Sequence, residues 1–189
     1  MDNRNKTITR TYVKGVHDNP DVVTLPKVRE RYFNIQRDLR YSHFCQACLV
    51  GKTQVDVVQE LLKSGIDPNK DAGPTGEYPL HLAVIKGNKE IVQMLLHGGA
   101  TIDLKAKNDD QATPLAWAAF FGQKDMVSLL IEAGASMNIL DANHATPLDA
   151  AVFVWRLNID DEKKARHLME IITILKANGG KHADDLYAK

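Results

Sequence analysis

The sequence predicts an all-α fold made of stacked helical repeats, on three observations. Proline-leucine pairs stand at Pro79-Leu80, Pro114-Leu115 and Pro147-Leu148, so they recur at intervals of 35 and 33 residues. Each pair opens an apolar pattern with helical spacing. Each pattern ends at a glycine: Gly87, Gly122 and, in the last copy, Gly179. A period of this length marks a solenoid, in which a unit buries its apolar face only against its neighbours and one long face is left for contacts.

Composition narrows the class of function. The 189 residues are 44% hydrophobic and 25% charged, which is the balance of a soluble globular chain with a real core. Lys plus Arg and Asp plus Glu are 24 each, so no global field draws nucleic acid or acidic lipid, and a nucleic-acid role is not expected. Met1 to Arg10 is polar and carries no apolar leader core. No apolar run approaches the roughly 18–20 residues that a membrane span requires. The expectation is a soluble, cytoplasmic protein with no membrane insertion. Two cysteines make no disulfide framework, which agrees with a reducing compartment.

Taken in chain order, residues 1–40 form an N-terminal extension. Its first 23 residues show little periodicity. From about 24 to 40, Val28, Tyr32, Ile35 and Leu39 share one face, with Thr24 as cap and Pro26 at the start, so a capping helix is expected. The repeats follow over 41–181, at about 41–69, 70–103, 104–138 and 139–181, and 182–189 is a short tail.

The first copy runs Ser42-His43-Phe44-Cys45-Gln46-Ala47-Cys48-Leu49-Val50-Gly51, then Val57-Val58 and Leu61-Leu62, with His43 in the proline slot. The second is Tyr78-Pro79-Leu80-His81-Leu82-Ala83-Val84-Ile85-Lys86-Gly87, followed by Ile91-Val92 and Leu95-Leu96. The third is Thr113-Pro114-Leu115-Ala116-Trp117-Ala118-Ala119-Phe120-Phe121-Gly122, followed by Met126-Val127 and Leu129-Leu130-Ile131. Proline in the first helical turn costs no hydrogen bond, alanines let helices approach, and glycine ends a helix in a conformation other residues resist. Thr146-Pro147-Leu148-Asp149-Ala150-Ala151 opens the fourth copy, but its closing Ile171-Ile172 and Leu175 arrive about twelve residues late, after an insertion from Trp155 to Asp161. The spacing of Ala165, Leu168, Ile171, Ile172 and Leu175 predicts an unusually long last helix, capped by Asp160 or Asp161 and stopped at Gly179. Lys176 takes the slot of Leu62, Leu96 and Ile131, which reads as a position facing water.

These motifs closely resemble the ankyrin repeat family, over roughly residues 41–181. The resemblance implies antiparallel helix pairs joined by β-hairpin fingers, here near Asn69 to Glu77, Asp103 to Ala112 and Asn138 to Ala145, and a concave groove. It also implies that the two residues before each first-helix glycine face the groove. In this chain those are Leu49-Val50, Ile85-Lys86, Phe120-Phe121 and, in the fourth copy, Val152-Phe153.

Most of these are large and apolar, and contiguous exposed apolar surface usually marks a partner site. The expected contact set is therefore Ile85, Lys86, Phe120, Phe121, Val152 and Phe153, with Phe120, Phe121 and Phe153 as anchors. Lys107, Asp109, Asp110, Asn143 and His144 of the fingers form a polar rim around them. The competing expectation is that the insertion, with Trp155 and Leu157, folds back over Phe121 and Phe153. Trp117 aligns with Leu82 and reads as core. The expected function is a non-enzymatic protein–protein interaction module, an adaptor, scaffold or inhibitor, needing no cofactor and no small-molecule substrate. A secreted microbial effector engaging a host protein would use the same surface.

Other chemistry is weighed on its residues. Cys45 and Cys48, with His43 nearby, have the spacing of half a zinc site and offer the alternative of a metal- or thiol-dependent activity. No second cysteine pair completes four ligands, and both positions align with packing slots. Gly51-Lys52-Thr53 lacks the earlier glycine of a phosphate-binding loop, since Gln46 stands there. His81 stands at the helix-start position where the ankyrin resemblance implies a ring bonded to neighbouring backbone. His97, His144, His167 and His182 form no pair on one helix, so no catalytic or metal constellation is assigned. The basic stretch Lys27 to Arg40 includes Glu30 and Asp38 and reads as the outer face of the capping helix.

Overall fold

The computed structural model describes residues 39–71 and 76–187, and the chain divides into two units, residues 1–39 and 40–189. The expected extension and capping helix lie outside the described residues, except for the last positions. Helix α1 occupies 39–50 and is already helical at position 39, before the Ser42 start of the first copy. A short 3₁₀ turn, Lys52–Gln54, leads into α2, Val55–Lys63. The second copy supplies α3, Pro79–Lys86, and α4, Lys89–His97. The third supplies α5, Pro114–Phe120, and α6, Lys124–Glu132. The fourth supplies α7, Pro147–Leu157, and α8, Glu162–Ala177, before a short α9, Ala183–Tyr187. Helices α3, α5 and α7 lie side by side in one layer and α2, α4, α6 and α8 in a second, each pair packed antiparallel. No strand occurs among the described residues. The fingers are tight turns, closed by Ala106 N to Ala112 O at 3.0 Å in the second and by Asp141 N to Ala145 O at 2.9 Å in the third.

Local chemistry sets the helix starts. Each of α3, α5 and α7 has proline in its first turn, where no amide donor is missed. The Thr113 hydroxyl accepts from Ala116 N, and the Thr146 hydroxyl from Asp149 N, whose carboxylate returns a bond to Thr146 N in a capping box. Asn88 caps α4 and Asp161 caps α8, so of the two expected caps for the last helix the second is used. The late arrival of the last closing motif is absorbed as helix. Helix α7 has 11 residues and α8 has 16, whereas their counterparts α5 and α6 have 7 and 9.

The core is one continuous layer between repeats. Phe44, Cys48, Val58, Val84, Ile91, Leu95, Leu115, Ala119, Val127, Leu130, Ala151, Ile171 and Leu175 belong to a single buried cluster that spans all four copies. Alanines 83, 118, 119 and 151, all fully buried, keep the inner helices close. Lys176, by contrast, is exposed, as its slot predicts.

Polar hooks add register between repeats. The Asn69 side chain donates to Gly99 O at 2.8 Å and accepts from Thr101 N at 2.7 Å. Asp103 accepts from Ser136 N at 3.0 Å. Asn138 donates to Gly179 O at 3.1 Å and accepts from Lys181 N at 2.8 Å. The three hooks stand 34 and 35 residues apart, so each ties one finger to the loop that follows the next outer helix. Beyond the last hook, Thr146 donates to Lys181 O at 2.8 Å, and Asp149 accepts from His182 Nδ1 at 2.6 Å and from Ala183 N at 2.9 Å. Partial burial alone would raise the Asp149 carboxyl, but the bonds from Thr146, His182 and Ala183 hold it below its usual range. The tail is thus fastened across the start of α7.

The finger backbone makes one further demand. Gly76, Gln111 and His144, each three residues before a repeat proline, have φ of 71°, 48° and 58°. Gly76 is also crowded, since a Cβ there would lie 2.7 Å from Asn108 N. Left-handed backbone alone costs a side-chain-bearing residue about 1–2 kcal/mol, so Gly134→Ala, at φ 91° with open space around it, should lose about 1 kcal/mol. Gly76→Ala combines that cost with a backbone clash and should lose more than about 2 kcal/mol in urea unfolding.

His81 carries the pH dependence of the second repeat. It is fully buried, and its Nε2 donates to Ala112 O at 3.1 Å, tying α3 to the next finger. A carbonyl only accepts, so the ring proton sits on Nε2. Nδ1 is then a buried acceptor with no partner among the described residues. Burial pushes the imidazole down from 6.5 to about 4, and the Ala112 bond opposes this only in part. As pH falls below 6.5 the unfolded chain therefore takes up a proton that the folded chain refuses. The stability present above that pH is lost toward pH 4, by up to about 3 kcal/mol. Between pH 7 and pH 4.5 the wild type should lose about 2 kcal/mol more than His81→Gln, which keeps a donor without the titrating ring.

Candidate functional site

Phe120 and Phe121 at the end of α5, and Phe153 within α7, point out of the core. Phe120, Phe121 and Phe153 are 43%, 49% and 54% exposed, although Leu115, Ala118 and Ala119 on the same helix as the first are buried. They are held as a set. Trp117 is buried in a small cluster with Ala106, Ala112 and Ala116, its core role as expected, and it meets Phe121 edge-on at 6.0 Å between centroids. Phe121 meets Phe120 edge-on at 5.3 Å, and Phe120 stacks on Phe153 at 6.4 Å and 13°. Inward, Trp117 contacts His81 edge-on at 4.9 Å. A row of rings thus runs from the buried His81 to the surface, in the offset and edge geometries aromatic quadrupoles favour.

The other predicted contact residues are less free. Ile85 is half-buried against the Trp117 cluster, and Val152 is half-buried against the main core. Lys86 is exposed at its head, while its stem lies over Gly51, with Cγ 3.0 Å from where a Cβ would stand. The insertion does not cover the phenylalanines. Trp155 continues α7 and packs half-buried on the core, and Leu157 is 69% exposed at the helix end.

At the rim, Lys107 is ion-paired with Asp71 at 2.7 Å, so its charge is already answered within the fingers. Asp109, Asp110, Asn143 and His144 are exposed at the tips of the second and third fingers. The tips are built alike: Asn108 Oδ1 accepts from Gln111 N, and Asp141 Oδ1 accepts from Asn143 N and Ala145 N. Asp110 O accepts from Ala142 N at 2.8 Å, which joins the two fingers. His144 and Gln111 hold equivalent left-handed positions, a cost retained where a side chain is displayed.

A cleft that the repeat pattern did not announce opens beside the phenylalanines. It has a volume of about 510 Å³ and lies between Phe120, Phe121 and Gly122 on one side and Val154, Asn158, Asp161, Lys163, Lys164, His167 and Leu168 on the other. His167 Nε2 donates to Gly122 O at 2.8 Å and fastens the two walls together. The signal in the sequence was the late closing motif, whose extra residues lengthen α7 and α8 beyond the neighbouring repeat.

The alternative thiol site has the wrong chemistry. Cys45 and Cys48 are buried, as free thiols, in the main core, while His43 is exposed on the same helix. Burial pushes the Cys45 thiol up to about 11 and raises Cys48 further, the opposite of an activated thiol. Tyr41 caps this corner, its hydroxyl donating to Lys70 O. Among the described residues no group of three or more His, Cys, Asp or Glu could hold a metal, and no helix is long and apolar enough to cross a membrane. Both thiols should react with a disulfide reagent at least about a hundredfold more slowly in the native protein than in urea, as absorbance of the released thiolate would record.

The family model described as ankyrin repeats (3 copies) matches residues 18–106 and 44–141. The curated relatives include SH3 and multiple ankyrin repeat domains protein 1 of Homo sapiens, Mus musculus and Rattus norvegicus, each 43% identical over 54 residues. That match covers 28% of this chain and 2% of each relative, so the chain spans a small fraction of their length. With the family model covering more than half of the chain and paired helices stacked at the same period, this protein belongs to the ankyrin repeat family.

Proposed function

We propose that this chain is a non-enzymatic interaction module, acting as an adaptor, scaffold or inhibitor. It holds a partner protein against the fingers and first helices of its second to fourth repeats. Ankyrin repeats are protein–protein interaction modules, and what carries the reading here is the exposure of Phe120, Phe121 and Phe153 as one supported row of rings. Rigid aromatics lose little conformational freedom on binding and supply the anchors on which most interface energy rests. Ile85 and Val152 extend the apolar strip at half exposure, and Lys86 borders it. Lys107, Asp109, Asp110, Asn143 and His144 form the polar rim that orients the partner and sets its rate of approach. No cofactor or small-molecule substrate enters this reading.

Protein partners captured from a lysate by the wild-type chain and by Phe120→Ala/Phe121→Ala/Phe153→Ala, quantified by mass spectrometry, test the surface. The triple variant should melt cooperatively near the wild-type temperature, because its truncated rings are about half in water already. It should lose partner affinity by about 2 kcal/mol or more, whereas Asp109→Asn/Asp110→Asn should lose less than about 1 kcal/mol. Equal capture by wild type and triple variant would reject the aromatic strip as the binding surface.

A further inference from the structure

The last repeat is the irregular one, and its irregularity makes a concavity. Helices α7 and α8 overhang the shorter α5 and α6, and the cleft of about 510 Å³ lies in the step between them. Its lining is two-natured. Phe120, Phe121, Val154 and Leu168 are apolar, and Gly122 adds no side chain that would fill the space. The charged groups all come from the turn before α8 and its first turns. Lys164 is tied to Asp161 at 3.3 Å. Just outside the cleft Arg166 is tied to Glu162 at 2.5 Å and Lys124 to Glu170 at 2.6 Å, so these pairs cancel locally. His167 spends Nε2 on Gly122 O. Lys163 makes no ion pair among the described residues and is the uncompensated charge of the lining, the exposed Asp160 lying outside it. Lys163 stands at the second position of α8, where the N-terminal end of the helix dipole adds to its positive potential.

We propose that this step is a pocket for a peptide segment of a partner protein carrying one large apolar side chain beside a carboxylate. The apolar side chain enters between Phe121, Val154 and Leu168, and the carboxylate meets Lys163. A recessed apolar floor admits a side chain but not a bilayer, which takes up protruding groups. The single net cation selects an acidic neighbour and disfavours a basic one. The pocket deepens the interaction reading above and rests on it, because Phe120 and Phe121 belong to both surfaces.

Phage-displayed random dodecapeptides selected on the immobilised full chain, with synthetic winners measured by fluorescence anisotropy, test the assignment. Selected peptides should place Asp or Glu within a few residues of Leu, Phe or Met. Lys163→Glu puts an acid near a helix start, where it is tolerated, so the fold should persist. That variant should weaken binding of the acidic winners about tenfold and shift selection toward basic peptides. Phe121→Ala should weaken the same peptides about thirtyfold. Phe153→Ala lies outside the cleft lining and reaches it only through its stack on Phe120, so it should weaken the peptides no more than about threefold while lowering capture of a whole partner. That split separates failure of the pocket from failure of the strip. Unchanged affinity in Lys163→Glu, winners without acidic residues, or no enrichment at all would overturn the pocket. So would binding of vesicles of three parts phosphatidylserine to seven of phosphatidylcholine with no peptide bound.

Discussion

Burial shared between consecutive repeats is the constraint on which the structure rests. Helices of seven to nine residues are too short to be stable alone, and each pair here covers only one side of its apolar surface. The remaining side is covered by the next pair, so residues from Phe44 to Leu175 form one cluster rather than four. Small residues on the inner helices set how closely the pairs approach, and every other feature is placed by that spacing. Substituting one of the central alanines would therefore be felt in two repeats at once, because their cavities and contacts are common.

The polar contacts refine what burial establishes. Asn69, Asp103 and Asn138 each bind a loop one repeat further along, which converts a stack of helices into one register. Threonine caps at Thr113 and Thr146 satisfy amides that proline leaves at the helix start. His81 does similar work from inside, reaching the next finger at the cost of keeping a neutral imidazole in the core. Each contributes on the order of 1 kcal/mol, small beside the apolar burial but directional. Direction is what a surface of separate fingers and helix ends requires.

The proposed contact surface lies where that regularity lapses. In the third repeat the inner helix ends in Phe120 and Phe121 where the second has Ile85 and Lys86, and Phe121 leans on Trp117, Phe120 on Phe121 and Phe153 of α7 on Phe120 rather than entering the core. The longer helices of the fourth repeat then rise beside them and leave a recess with a cationic rim. An apolar strip next to a charged cleft is a surface on which shape and charge act together, the combination that separates a specific partner from general stickiness.

Proline-leucine pairs, closing glycines and the period between them determined the repeat fold from the sequence alone, because those residue types answer local demands: φ at a helix start, left-handed backbone at its end, alanine where helices meet. The same register placed Phe120, Phe121 and Phe153 at the surface and Trp117, Cys45 and Cys48 inside. Tertiary structure decided what local rules do not reach. Insertion residues around Trp155 became helix and not a lid, since continuing α7 buries half of Trp155 on the core, and this left the phenylalanines open. Whether Ile85 and Val152 are free or half-covered depended on neighbours in the adjoining repeat, and the answering of Lys107 by Asp71 depended on how two fingers meet. The cleft has the same origin: it is a difference in length between neighbouring repeats, a relation between distant segments that no single stretch of sequence contains.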